Sequence, residues 1–356
     1  MPRRVLITGG SGFVGANLGV GLADRHPDWE ITAFDNLKRR GAELNIPRLR
    51  ASGVRFVHGD VRSQADLLAV EPVDAVVECS AEPSALAGVG GSPDYLVQSN
   101  LVGAYHCLEL ARRDDAQFLF MSTSRVYPYG ALDALDHREA ETRFELCPAD
   151  GVPGASERGI AEDFPLGGAR TLYGATKLAA ELLVTEYAAV AGLRTVINRC
   201  GVIAGPWQMG KVDQGVFTYW LLAHMTGRPL KYIGYGGTGK QVRDLLHVED
   251  LVDLIDLQLS SPDEWNGRTL NVGGGREISL SLAETTALCR ELTGREVPVG
   301  SAGEDRPGDV RIYLTDASRL YGLTEWRPQR SPVDTLTDTA AWLRDHEAMV
   351  LAALDS

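Results

Sequence analysis

The chain has 356 residues, 44% of them hydrophobic and 23% charged, with a formal net charge of −13 from 48 acidic and 35 basic side chains. That length suits two lobes with sizeable cores, and the acidic balance, without any basic arm or stripe, argues against a nucleic-acid partner. The five cysteines are scattered with no Cys-x-x-Cys pair, which fits a reducing compartment, and no apolar run approaches the ~20 residues of a membrane span. A chain that opens directly on a strand pattern is therefore expected to be soluble and cytoplasmic, with neither membrane nor metal as partner.

Residues 5–8 form a short apolar run that reads as a buried parallel strand, and the spacing of Leu18, Val20, Leu22 and Ala23 reads as the helix covering it. Between them lies Gly9-x-x-Gly12-x-x-Gly15. Glycines there permit a tight turn, admit the backbone to a pyrophosphate and let helix and strand pack closely, while the free N–H groups at the helix start hold the anion. A second strand, residues 30–34, ends at Asp35, about 20 residues on, where a carboxylate accepts the ribose hydroxyls of a dinucleotide. Gly9, Gly12, Phe13, Val14, Gly15, Asp35 and Asn36 thus make a candidate dinucleotide site. Asp35 repels a 2′-phosphate, which favours NAD over NADP, and Lys38, Arg39 and Arg40 read as a solvated loop.

Residues 54–57 form a third strand leading to Asp60 and Val61, with Asp60 placed to accept from an adenine amino group. Residues 75–79 form a fourth strand, 100–111 a helix, 118–122 a fifth strand, 172–190 a helix, and 195–197 a sixth strand ending at Arg199. This alternation predicts an α/β, Rossmann-like doubly wound parallel sheet, with ligands at the carboxyl ends of its strands. Gly12, Asp35, Asp60, Thr123 and Arg199 all follow strand ends. The expected organisation is a cofactor-binding domain over residues 1–204, rejoined at about 240–262, and a smaller C-terminal substrate-binding lobe over 205–239 and 263–356.

Residues 131–170, rich in charge, proline and glycine, are too long for a plain connection and read as a functional loop, with a disordered insert as the alternative. Trp207, Phe217, Tyr219 and Trp220 read as core before pocket, His247 as a hydrogen-bonded structural histidine, and Cys200 as a small buried apolar residue. Residues 333–343 form one of the small closing helices.

Tyr173 and Lys177 lie four apart at a helix start, so both side chains share one face. A phenol with a pKa near 10 is a poor base at neutral pH unless a neighbouring cation stabilises its phenolate. Lys177 can do so while also holding a nicotinamide ribose, and Ser122-Thr123-Ser124 upstream offers hydroxyls to a substrate oxygen.

With these residues in view, the chain resembles the extended short-chain dehydrogenases/reductases of the nucleotide-sugar epimerase/dehydratase group over nearly its whole length. The group's hydroxyl precedes the tyrosine of its "VYG" motif by four residues, which in Met121-Ser122-Thr123-Ser124-Arg125-Val126-Tyr127 selects Thr123; Pro128 departs from the usual glycine. The group's 4,6-dehydratases carry Asp-Glu directly after the threonine, because elimination needs its own acid and base. Here Ser124-Arg125 stands instead, and the glutamate that related decarboxylases carry at Ser124 is also missing. Epimerisation or net dehydrogenation remains.

A narrower resemblance, to the CDP-paratose (CDP-tyvelose) 2-epimerases, rests on Phe34-Asp35-Asn36-Leu37, Glu141-Thr142-Arg143, Asp213-Gln214-Gly215 and Gly239-Lys240-Gln241-Val242-Arg243-Asp244. It implies catalysis by Thr123, Tyr173 and Lys177, cofactor contact at Asn100, and contact with a nucleotide-diphosphate sugar at Ser124, Arg199, Gln214, Arg243 and Arg306. Arg306 and Arg311 match the diphosphate region, where an arginine fork suits phosphate oxygens. It also implies a homodimer through the helices beginning near Asn100 and Tyr173. The alternatives are a UDP-hexose 4-epimerase, a net dehydrogenase, or a non-catalytic NAD-binding sensor or scaffold.

Overall fold

The structure is a computed structural model that describes residues 2–84, 86–147, 151–210 and 215–355. Seven parallel strands form one sheet: β1 (Arg4–Thr8), β2 (Glu30–Asp35), β3 (Arg55–His58), β4 (Ala75–Glu78), β5 (Gln117–Thr123), β6 (Thr195–Cys200) and β7 (Arg268–Val272). Their spatial order is β7-β6-β5-β4-β1-β2-β3. The order reverses between β1 and β4, and a doubly wound sheet takes its ligand at the crevice opened by such a reversal. Those two strands pair from Val5 with Ala75 to Thr8 with Glu78, so Thr8 and Glu78 end level at the crevice floor.

The main helices are α1 (Phe13–Arg25), α2 (Gly103–Asp114), α3 (Leu172–Ala191), α4 (Val216–Thr226), α5 (Val248–Ser260), α6 (Leu282–Thr293) and α7 (Pro332–Asp355). α1 and α5 cover one sheet face, packing Leu18, Leu22, Leu251 and Ile255 with Val5, Ile7 and Ala33. α2 and α3 cover the other, packing Leu108, Ala180 and Val184 with Leu6, Val76, Phe118 and Phe120. Cover on both faces is why the central strands are continuously apolar, and all seven residues of β5 are buried. The fold is the α/β, Rossmann-like doubly wound sheet anticipated from the alternation.

A smaller sheet stands beside it, built around Val242–His247 with Val202–Ala204, Ser279–Ser281 and Ile312–Tyr313. α4, α6 and α7 share a core with it through Leu221, Leu245, Cys289, Leu336 and Ala340. Within the expected return at 240–262, α5 packs on the large sheet beside α1, whereas Val242–His247 pairs in the smaller sheet, and the strand that rejoins the large sheet is β7. β7 lies at the sheet edge and begins with the exposed Arg268, so it lacks the apolar run that marks an interior strand.

The described parts of residues 131–170 are folded rather than a disordered insert. They include the hairpin of His137–Glu139 with Phe144–Leu146 and the pair Ala155–Ser156 with Gly159–Ile160. Leu132, Phe144, Ile160 and Phe164 form a core with Tyr127, Val242 and Tyr313, so this segment walls the cleft between the two sheets. Pro128, with φ −67°, starts the short helix Tyr129–Asp133. α7 extends well past residue 343 and is kinked at His346.

Candidate active site

The glycine turn is shaped by close approach. Gly9 has φ +62°, and a Cβ on Gly15 would stand 2.3 Å from the Gly9 carbonyl oxygen, a contact that no side chain tolerates. Gly12 caps α1 without a side-chain hydrogen bond, and the first turn carries no acidic residue, so its N–H groups remain available to an anion. Phe13, Val14 and Gly15 line a cavity of about 170 Å³, and Gly9, Gly12, Asp35, Asn36 and Val61 line an adjoining one of about 90 Å³. Asp35 accepts from Ser11 N–H at 3.1 Å and Leu37 N–H at 2.8 Å, while burial pushes its carboxyl up. These residues fit a dinucleotide.

Two details differ from the sequence reading. The Asp60 carboxylate, expected at the adenine, is engaged by the backbone and guanidinium of Arg62 and by Asn36, interactions that hold it down to about 2 against its burial. Arg39, expected in a solvated loop, lines both cavities, whereas Lys38 is exposed.

Thr123 ends β5 at the carboxyl edge, and its hydroxyl caps the following turn by accepting from Arg125 N–H at 3.2 Å. α3 starts with Thr171 accepting from Gly174 N–H at 3.2 Å. A Cβ on Gly174 would lie 2.0 Å from the Arg125 carbonyl oxygen. Its absence lets α3 settle on the backbone just after Thr123, which brings the Tyr173 phenol within hydrogen-bonding reach of the Thr123 hydroxyl. Burial raises the Tyr173 phenol, and the Lys177 ammonium opposes that rise. Lys177 is only 1% exposed. Its Nζ lies 3.3 Å from Glu78 Oε2 and 4.5 Å from the Phe120 ring centroid.

Arg199 and Asn100 are turned away from the roles expected for them. Arg199 donates to Glu181 at 2.7–3.1 Å and to the Tyr127 hydroxyl at 3.2 Å, all buried between β6 and α3. Strand alternation explains this: Asn198 faces α5 and bonds Gln258, so Arg199 must face α3. Asn100 is fully buried, and its amide holds the N–H and carbonyl of Glu82 at 2.7 and 3.1 Å, so it shapes the loop after β4 from behind.

On the substrate side, Ser124, Arg125, Tyr127, Arg170 and Arg243 border a small cavity beside Thr123, with no carboxylate or imidazole in its described wall. It continues into a cleft of about 510 Å³ lined by Arg125, Arg243, Arg306, Lys231 and Asp309. Arg243 is steadied by Asp309 at 2.7 Å. Arg311, by contrast, lies over the Phe144 and Tyr235 rings. Phe217 and Trp220 are core residues that also line the cleft, and Tyr219 joins them there. Gln214 lies outside the described residues.

A model of the NAD dependent epimerase/dehydratase family matches residues 5–273. The chain belongs to that family. It is accordingly an NAD-dependent enzyme of the epimerase/dehydratase kind. It is 29% identical to a CDP-paratose 2-epimerase of Salmonella typhi over 95% of this chain and 98% of that protein. It is 33% identical to a dTDP-glucose 4,6-dehydratase of Mycolicibacterium smegmatis over 97% of this chain and 94% of that one. The solved UDP-glucose 4-epimerase of Thermus thermophilus in complex with NAD superposes with a TM-score of 0.75 at 26% identity, covering 96% of this chain and 99% of that chain. No helix among the described residues is long and apolar enough to cross a membrane.

Sequence reasoning missed Glu78, Glu181 and the part taken by Arg125. An acidic residue closing the apolar run Ala75-Val76-Val77 was the available signal for Glu78. Nothing local marks Glu181, because its partner lies on a different element.

Proposed function

We propose that this protein is an epimerase of a nucleotide-diphosphate sugar that works by transient oxidation to a keto-sugar, most like the CDP-paratose 2-epimerases. The observation that carries the choice of epimerase over dehydratase is the wall of the cavity bordered by Ser124 and Arg125, the two residues directly after Thr123. Eliminating water needs an acid and a base beyond the tyrosine, and Ser124, Arg125 and the rest of that wall supply neither a carboxylate nor an imidazole for those roles. The similarity to the Salmonella 2-epimerase along almost the whole chain supports the narrower reading.

Tyr173, as phenolate, removes the proton of one sugar hydroxyl, and Thr123 fixes that oxygen from the other side. NAD, when bound, would supply the hydride chemistry that oxidises the sugar carbon and reduces the ketone again, and the cleft must let the keto-sugar offer its opposite face. Tyr173 then gives its proton back to the reformed alkoxide. Lys177 holds the phenolate and would hold the nicotinamide ribose, Gly9, Gly12 and Gly15 would hold the pyrophosphate, and Asp35 would hold the adenosine ribose. Arg243 and Arg306 bind the sugar diphosphate, and Ser124 contacts the sugar. Proton transfer of this kind supplies roughly 10²- to 10⁴-fold, so orientation within the cleft supplies much of the rest.

A 4-epimerase acting on a UDP-hexose is the second reading, favoured by the likeness to the Thermus enzyme. We also propose a homodimer, since α2 and α3 pack against each other and leave the apolar Tyr105, Leu182 and Val190 exposed. Proton NMR of the protein with CDP-paratose and with UDP-glucose, without added reductant, separates the readings. Inversion at carbon 2 of the CDP-sugar is expected; inversion at carbon 4 of the UDP-sugar alone transfers the assignment. Inversion that survives Tyr173→Phe refutes the acid/base role.

A further inference from the structure

The proposed reaction uses the ammonium of Lys177 twice, yet that ammonium sits where an isolated charge is hard to keep. Lys177 is 1% exposed, and its neighbours are the Phe120 ring, the Cys79 and Cys200 thiols and Tyr173. Full burial alone can pull a lysine down by roughly 3–5 pH units, far enough to leave it neutral at physiological pH. A neutral amine would give nothing to the Tyr173 phenolate.

Glu78 answers that difficulty. It closes β4 at the crevice floor with no measurable exposure, and its Oε2 lies 3.3 Å from Lys177 Nζ. Its other oxygen, Oε1, has no hydrogen-bond partner among the described residues, and Thr8 Oγ1, at the strand position paired with it, is likewise without one. Apart from a backbone bond from Ser80, the interaction of this carboxylate is therefore directed at Lys177. The other groups facing it are Cys79, the residue directly after it, and Cys107 from α2, thiols that burial holds far above their usual range and keeps neutral. On the far side of Tyr173 stand Thr123 and the Arg125 guanidinium, which face the phenol. Glu78 is the carboxylate that faces Lys177 from the sheet.

We propose that Glu78 is a positioning residue that keeps the buried Lys177 in its ammonium form and holds Nζ beneath Tyr173. This rests on the reading of Tyr173 as the base. Glu78 touches neither substrate nor cofactor in this role; it acts through Lys177. An opposite charge at this separation offsets desolvation by roughly 1–3 pH units, enough to carry the lysine back above neutrality. The carboxylate also opposes the phenolate from farther away, but the loss of the ammonium outweighs that effect, because the ammonium is the nearer charge.

The test is an ultraviolet tyrosinate titration of the NAD-loaded enzyme, with the Tyr173→Phe protein subtracted to isolate one phenol. In Glu78→Gln, which keeps the shape and removes the charge, Lys177 gives up its proton sooner. The Tyr173 transition is expected to move up by about one pH unit or more, with Glu78→Asp falling between Gln and wild type. A transition that stays in place, or moves down, overturns the proposal. If Glu78→Gln does not fold, thermal unfolding of Lys177→Met and of the double variant Glu78→Gln/Lys177→Met decides. The double variant is expected to melt higher than Lys177→Met alone, because no unpaired carboxylate is left buried; equal or lower melting overturns the pairing. The titration needs no sugar. A missing Tyr173 transition would therefore strike the proposed function, whereas an unmoved one strikes only the role of Glu78.

Discussion

Arg199 is where the sequence and the structure give opposite accounts, and one substitution decides between them. Its guanidinium donates to both oxygens of Glu181 at 2.7–3.1 Å and to Tyr127 at 3.2 Å, with side chains of Arg199 and Glu181 only 7% and 4% exposed. Arg199→Met removes the cation and leaves the Glu181 carboxylate buried with the Ser122 hydroxyl as its remaining side-chain donor among the described residues. Breaking one side of such a pair costs about 3–5 kcal/mol. For 356 residues the unfolding entropy is about 0.75 kcal/mol per kelvin, so the melting point should fall by roughly 4–7 °C. Adding Glu181→Leu removes the stranded charge and should recover most of that loss, since an apolar pair of similar volume is often as stable as the ion pair it replaces. Calorimetry of the three proteins supplies the numbers, and KM for the sugar nucleotide in the folded single variant should stay close to wild type. Melting within about 1 °C of wild type together with a tenfold rise in KM would refute the structural account and return Arg199 to the substrate.

His247 and the α2–α3 surface give two further expectations. His247 is 2% exposed, caps α5 through Nδ1, and is pushed down to about 4 by burial and by Arg330, against Asp338 3.5 Å away. The fold therefore prefers the neutral ring. Its contribution is complete above pH 6.5 and is lost as pH falls toward 4, about 3 kcal/mol in all. Urea unfolding at stepped pH should show that loss in wild type and a flatter profile in His247→Asn, which keeps a cap acceptor but does not titrate; parallel profiles would refute the assignment. Leu182 is 64% exposed on α3. By sedimentation the wild-type protein is expected to be a dimer, as proposed, and Leu182→Glu a monomer at the same concentration; a monomeric wild type would refute the dimer, and a variant that still dimerises would place the interface elsewhere.

Much of the molecule was legible because its signals are local. The apolar strands, the Gly9-Gly12-Gly15 turn, Asp35 at the end of the next strand, and the Tyr173–Lys177 spacing each lie within a few turns of chain, where the 3.6 and 2.0 periodicities dictate which side chains share a face. They determined the fold class and a candidate redox site together. Pairings across long separations were not legible. Glu78 meets Lys177 across 99 positions, joining a strand end to a helix that the sheet order sets beside it. Arg199 and Asn198 are adjacent in sequence yet serve opposite faces of β6, one bonded to α3 and the other to α5. A charged residue at a strand end reads the same along the chain whether it points into the cleft or under a helix. Only the tertiary structure decided that, because the helix packed on each face supplies the partner, and burial makes the pairing compulsory.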